Sequence, residues 1–261
     1  VSADKSVKNA SLRAAGARQE LMMQQADGGS FGTGRTFVQP VALPPESTAL
    51  LIVDMQYHDA SADQGFNLAL DKLDPGCMDY FNERVETTVI PAIARLLAFC
   101  RGCGIQVIYL TLGSRYRDLR DVPERLRRWV RQVEAESGVP DLYWAENPAF
   151  AIRSELQPRP EETIVNKTTL GAFTSSNLDM VLRQLGVTSL IFTGVSTNCC
   201  VETTARDAAD RGFACVLVDE AAADYDADSH EAALRAFHFN FGRVARTVDE
   251  VVHAVQARLE L

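Results

Sequence analysis

The chain has 261 residues, 46% hydrophobic and 23% charged, a make-up ordinary for a globular protein with a sizeable core. A net charge of −9 argues against nucleic acid or an anionic membrane as partner, since both call for a basic footprint. No apolar run approaches the ~20 residues that span a bilayer, and the opening VSADKSVKNA lacks the apolar stretch of a secretory signal, so the cytoplasm is the expected location.

Residues 1–45 are polar and rich in Gly, Ala and Gln, and they read as an arm. Ser11–Gln25 has a helix-forming pattern, and the glycines from Gly28 to Gly34 follow no strand, so they are not a dinucleotide fingerprint. A single globular domain is expected over 46–261. Apolar runs at Ala49–Val53, Ile105–Leu110, Thr163–Val165, Leu190–Thr193 and Cys215–Val218 predict strands, with Arg243–Val248 a weaker last one. Between them, helical spacing covers Glu83–Phe99, Asn177–Leu185, Val201–Arg211 and Ser229–Phe239, and Gly104, Gly186 and Gly212 stand where helices should stop. Continuous apolar strands alternating with helices predict a three-layer α/β/α fold, Rossmann-like, around a parallel sheet of roughly six strands.

Two features interrupt this rhythm. The interval 113–160 carries the basic run Arg115–Arg131, read as a solvated or subunit-facing helix or as a lid whose arginines, with Trp129 or Trp144, shape a pocket. The six cysteines are expected as free thiols. Cys100 and Cys103 invite a redox or zinc reading, but they close a helix, where the dipole raises a thiol pKa, and no second metal-binding half accompanies them. Cys215 reads as core.

In open parallel sheets, ligands bind outside the carboxyl ends of the strands. Asp54 directly follows the first strand, Lys167 follows the third after one Asn, and Cys199 and Cys200 open the helix after the fourth. An acid, an amine and a thiol thus meet one rim from three separated segments. A helix N-terminus lowers a thiol pKa and offers free amide donors, so Cys199 and Cys200 are candidate nucleophiles.

These residues sit in motifs that resemble the isochorismatase-like cysteine hydrolases. The resemblance rests on L51-I-V-D-M-Q56, on N166-K-T-T-L-G-A-F-T-S-S-N-L178, and on Gly194 to Ala208, which reads G-V-S-T-N-C-C-V-E-T-T-A-R-D-A; it spans roughly 46–252. It implies Cys200 as nucleophile, Asp54 as its base, Lys167 as the cation that steadies the thiolate, a cis peptide between Val195 and Ser196, and an oxyanion hole from the Ser196 and Cys200 amides. The implied reaction is amide hydrolysis through a thioester, with no metal and no cofactor. A homodimer or homotetramer is the expected assembly.

Departures from the family narrow the substrate. His58 is alone between Asp54 and Thr111, where metal-dependent nicotinamidases carry an Asp and two histidines, and true isochorismatases lack the nucleophilic Cys. The segment Thr111–Arg125 looks like that of biuret hydrolases and their ureide-cleaving relatives, so the expected substrate is a small linear amide or ureide such as biuret, triuret or ureidoacrylate. Tyr57, Phe173 and Asn240 are candidate substrate contacts. His230 and His238 read as helix-surface residues rather than as a catalytic base. The competing functional reading is a catalytically idle relative that binds a small molecule or a protein.

Overall fold

A computed structural model describes residues 40–258 and Leu261, so the expected helix Ser11–Gln25 and the glycine stretch 28–34 lie outside the described residues. Six strands, β1 (Thr48–Val53), β2 (Gln106–Leu112), β3 (Thr163–Lys167), β4 (Ser189–Val195), β5 (Ala214–Ala223) and β6 (Arg243–Ala245), form one sheet in the order β3-β2-β1-β4-β5-β6. Every pairing is parallel. On central β1, Ala49, Leu51 and Val53 enter one core cluster while Leu50 and Ile52 enter the other. Side chains alternate across a strand, so burial of both faces explains why this run is apolar throughout.

The first core holds the helices Gly65–Leu73, Glu124–Ser137, Leu178–Gln184 and Glu202–Asp210; the second holds the helical stretch Asp79–Cys103 and the helix Val248–Ala257. Chain order on the sheet runs outward from β1 to β3, then returns to β4 beside β1. That reversal opens a crevice at the carboxyl ends of β1 and β4, the place where such sheets take ligands.

Several expected elements change. Val41 and Leu43 are buried in the second core, and Val41 exchanges backbone hydrogen bonds of 3.0 Å with Leu261. The packed body therefore takes in part of the proline-rich run assigned to the arm. The strand expected over Arg243–Val248 ends at Ala245, because Thr247 caps the helix Val248–Ala257 by accepting the Glu250 amide. That helix was not anticipated, nor was Gly65–Leu73, whose buried face is interrupted by Asn67. β5 runs past its apolar start through half-buried Asp219 and Glu220 to Ala223, and its last residues pair with Gly194 and Val195.

Gly194 is required where it stands. With φ at +106°, a Cβ there would lie 2.0 Å from the Val53 carbonyl oxygen, so only glycine lets β4 and β1 approach this closely at the rim.

Candidate active site

Asp54 leaves β1 in the left-handed region (φ 51°), a conformation Asp tolerates better than most residues, and its amide donates to the Leu110 carbonyl at 2.9 Å. Lys167 is the last residue of β3, two strands away, and its side chain reaches across the end of β2. Its Nζ lies 2.8 Å from Asp54 Oδ2 and 3.2 Å from the Thr169 carbonyl oxygen. The pair is sealed, with 1% of the Asp54 side chain and none of Lys167 exposed. Asp54 Oδ1 is buried without a hydrogen-bond partner of normal geometry.

Cys200 belongs to a wide π-type turn, Thr197–Val201, that continues β4 into the helix Glu202–Asp210. The peptide between Val195 and Ser196 is cis. In this turn the Asn198 amide donates to Asp224 Oδ2 at 2.7 Å, while the Cys199 and Val201 amides both donate to the Ser196 carbonyl, at 3.1 and 3.2 Å. Thr197 Oγ1 pairs with Nδ1 of His230 at 2.8 Å, and the His230 Nε2 lies 2.8 Å from Asp219, which also binds Arg84 and Arg246. The turn is thus clamped from two sides. His230 is buried in this network, contrary to the helix-surface expectation, because its helix packs directly against the turn. His238 accepts the Val244 amide through Nδ1.

Electrostatics at the rim follow burial. Desolvation raises the Asp54 carboxyl above its ordinary range even though Lys167 opposes the shift. Burial alone would lower Lys167, but the neighbouring Asp54 carboxylate holds it up as a firm cation. The Cys200 thiol, hydrogen-bonded with Cys199 and desolvated beside the Asp54 carboxylate, is pushed well up rather than down. The Cys199 contact and burial thus outweigh the helix dipole.

Asp54, Cys199, Cys200, Val195 and Ser196 open onto a cavity of about 240 Å³. Its other wall is largely apolar: Phe66 stacks on Trp129 at 5.1 Å and meets Tyr143 edge-on at 5.4 Å. Arg125 and Trp129 come from the basic interval, one helical turn apart, so that segment does shape the pocket. Trp144 does not; it lies under Arg117 instead. Arg117, Arg120, Arg127, Arg128 and Arg131 each bind a nearby carboxylate, which explains a basic run in an acidic protein. Arg125 has no such partner among the described residues.

The three expected substrate contacts lie outside this cavity. The Tyr57 hydroxyl accepts the Ser154 amide at 3.3 Å and its ring packs under Arg153. Phe173 is buried against Phe213, with Arg211 over its ring. Asn240 is exposed at a helix end, its amide bound to the Ala236 carbonyl one turn back. Asp59, Phe66, Tyr143 and Tyr225 line the cavity instead. No chemical motif marks them, and only their apolar or polar context in folded space brings them there.

All six cysteines are free; Cys100 is buried, and exposed Cys103 directs its thiol to the Cys100 carbonyl. Among the described residues, no group of three or more His, Cys, Asp and Glu is arranged to hold a metal ion. No helix there is long and apolar enough to cross a membrane.

The isochorismatase domain model matches residues 48–249, from the start of β1 into the last helix. The chain belongs to the isochorismatase family. It is 31% identical over 219 residues to the ureidoacrylate amidohydrolase RutB of Methylobacterium radiotolerans, covering 79% of each protein. The RutB of Pantoea ananatis is 32% identical over 65% of this chain and 66% of its own. Among solved structures, a cysteine hydrolase from Pseudomonas syringae pv. phaseolicola superposes with a TM-score of 0.68 at 24% identity, covering 86% of this chain and 98% of that one. An isochorismatase family protein from Desulfovibrio vulgaris gives 0.60 at 25% identity, covering 81% and 97%. The family's fold is therefore this chain's fold, with the cavity at its β1–β4 crevice.

Proposed function

We propose that this isochorismatase-family protein is an amidohydrolase that cleaves a C–N bond of a small linear amide or ureide through a thioester on Cys200. The observation that carries the reading is the sealed 2.8 Å Lys167–Asp54 pair, with the Asp54 carboxylate opening onto the same small cavity as Cys200. Identity of about 30% to ureidoacrylate amidohydrolases supports amide-type chemistry.

In this mechanism the substrate carbonyl lies over the Cys200 sulfur. As sulfur attacks carbon, Asp54 takes the thiol proton and Lys167 offsets the negative charge on sulfur and carboxylate. A carboxyl raised by burial is a better base than an exposed one, and a thiol pushed up matches proton removal in step with attack. The oxyanion is received by the Ser196 and Cys200 amides; the amides of Asn198, Cys199 and Val201 are already committed. Losing one such donor typically costs about 2.7–4 kcal/mol of transition-state stabilisation. The C–N bond then breaks, and protonated Asp54 gives its proton to the leaving nitrogen. In the second half, water attacks the thioester carbon, Asp54 takes a water proton, and the thiol is released with the acid product.

The test is ammonia release from a panel of biuret, triuret, ureidoacrylate, nicotinamide and simple primary amides, with iodoacetamide labelling in parallel. Turnover is expected with at least one compound, lost in Cys200→Ala, and the substrate should protect Cys200 from alkylation. Unchanged ammonia release from the Cys200→Ala protein would overturn the mechanism.

A further inference from the structure

One buried carboxyl in the cavity has no part in the chemistry above. Asp59 follows β1 by a short loop and lines the cavity that holds Asp54 and Cys200. Its side chain is 18% exposed, yet no protein group donates a hydrogen bond to either carboxyl oxygen. Nε2 of His58 lies 3.5 Å from Oδ2.

The state of His58 decides what that contact means. Its Nδ1 faces the Leu142 carbonyl oxygen at 3.1 Å, and a carbonyl can only accept, so Nδ1 carries the hydrogen. Burial pushes the ring down to about 4, so near neutrality His58 is uncharged and Nε2 is a bare lone pair. Nε2 and Asp59 Oδ2 are both sealed from solvent and unpaired. Two acceptors facing each other repel unless one proton lies between them. Desolvation raises the Asp59 carboxyl to about 7, against the pull of Lys167, which favours a proton on Oδ2 directed at Nε2. Oδ1 is then left to the cavity as a fixed acceptor with no donor of its own.

We propose that Asp59 is a substrate-reading residue whose free carboxyl oxygen accepts an N–H of the bound molecule, so that the pocket selects ureides, with nitrogen between their carbonyls, over carbon-linked amides of the same shape. This rests on the amidohydrolase reading and narrows its substrate class. The physical basis is the cost of leaving an acceptor without a partner once a bound molecule has displaced its water. A site built to hydrogen-bond an N–H rejects an analogue lacking it far more strongly than a hydrophobic wall rejects a missing methylene. The other cavity-lining groups near Asp59 leave this oxygen free: Asp54 is held by Lys167, and no hydrogen bond joins Tyr143 or Tyr225 to the Asp59 carboxyl.

Biuret and malonamide make the test, because they differ only by NH against CH₂ at the centre. Turnover of both is measured for the wild type, Asp59→Leu and Asp59→Asn, and calorimetric binding of both is measured on Cys200→Ser and Cys200→Ser/Asp59→Leu proteins. The wild type and Cys200→Ser proteins should favour biuret by tenfold or more. Asp59→Leu should bring that ratio near one, mainly through the biuret KM or Kd, and Asp59→Asn, which keeps an acceptor oxygen, should fall between. A preference lost only on removing Asp59 upholds the proposal even if neither compound is cleaved, an outcome that sinks the amidohydrolase reading alone. Equal handling of the two compounds by unaltered Asp59, absence of binding by both, or an equal loss for both in Asp59→Leu would overturn the proposal.

Discussion

On the sheet side of the cavity, Asp54 and Lys167 stand at strand ends, are at most 1% exposed, and bind each other at 2.8 Å. On the opposite side, the helix Glu124–Ser137 presents Trp129, 40% exposed, and exposed Arg125, without a carboxylate partner among the described residues. The first wall is held by the parallel ladder and by the clamps on the turn Thr197–Val201. The second is held by Leu126, Val130 and Val133 in the first core and by ring stacking, with ion pairs on its outer face that are worth little each in water. The contrast sets a sealed ion pair at the strand ends against an exposed arginine and tryptophan on the facing helix.

Breaking the rigid wall should have the largest effect. Lys167→Ala leaves the Asp54 charge buried without its counter-ion, so a destabilisation of about 3–5 kcal/mol is expected in urea unfolding, with loss of turnover. Combining Lys167→Met with Asp54→Asn should recover much of that stability and none of the activity. A single variant as stable as the wild type would mean that the pair is not the constraint described here.

The pH dependence sharpens the comparison through two neighbours in the loop after β1. His58 has its pKa lowered from 6.5 to about 4 by burial, so between those values the unfolded chain binds a proton that the folded chain refuses. Its contribution is therefore present above pH 6.5 and is lost as pH falls to 4, up to roughly 3 kcal/mol. Asp59 has its pKa raised from 3.8 to about 7, so the folded state holds the proton longer, and stability is lost as pH rises across that window. The two slopes oppose each other from about pH 4 to 6.5, and the wild type should be nearly flat there. His58→Asn, which keeps a donor for the Leu142 carbonyl, should expose the falling slope, and Asp59→Asn the rising one. Urea midpoints at pH 4.5, 5.5, 6.5 and 7.5 decide it, and parallel curves for all three proteins would refute the assignment.

On the helical wall, Trp129→Ala removes the ring stacked on Phe66 and should cost about 1 kcal/mol. The KM of any substrate should rise several-fold with kcat little changed, read from steady-state kinetics; a kcat loss as large as that of Lys167→Ala would place Trp129 with the chemistry. The smallest effect belongs to Asn240→Ala, within about 0.5 kcal/mol and with kcat/KM unaltered. A substantial kinetic effect there would return Asn240 to the list of substrate contacts.

Much of this was legible in the linear chain. Continuous apolar runs such as A49-L-L-I-V53 declare strands buried on both faces, and a polar or reactive residue directly after each run must stand at the sheet's carboxyl rim. That reasoning reaches Asp54, Lys167 and Cys200 without coordinates. It does not reach Asp59, Tyr143 or Tyr225, because nothing in their spacing distinguishes a pocket wall from a loop. Nor does it place Tyr57 and Phe173, which lie outside the cavity: an aromatic near a motif packs wherever the tertiary fold leaves room, here against Arg153 and Phe213.

Local sequence determined the elements, their alternation and the chemical types at the rim, since periodicity and strand-end position are properties of short segments. Only the tertiary structure decided the strand order that sets β1 beside β4, the reach of Lys167 across β2, and the surroundings that push the Cys200 thiol up. Those outcomes depend on desolvation and on contacts between residues more than a hundred positions apart, such as Asp54 and Lys167. Spacing along one segment carries no record of them.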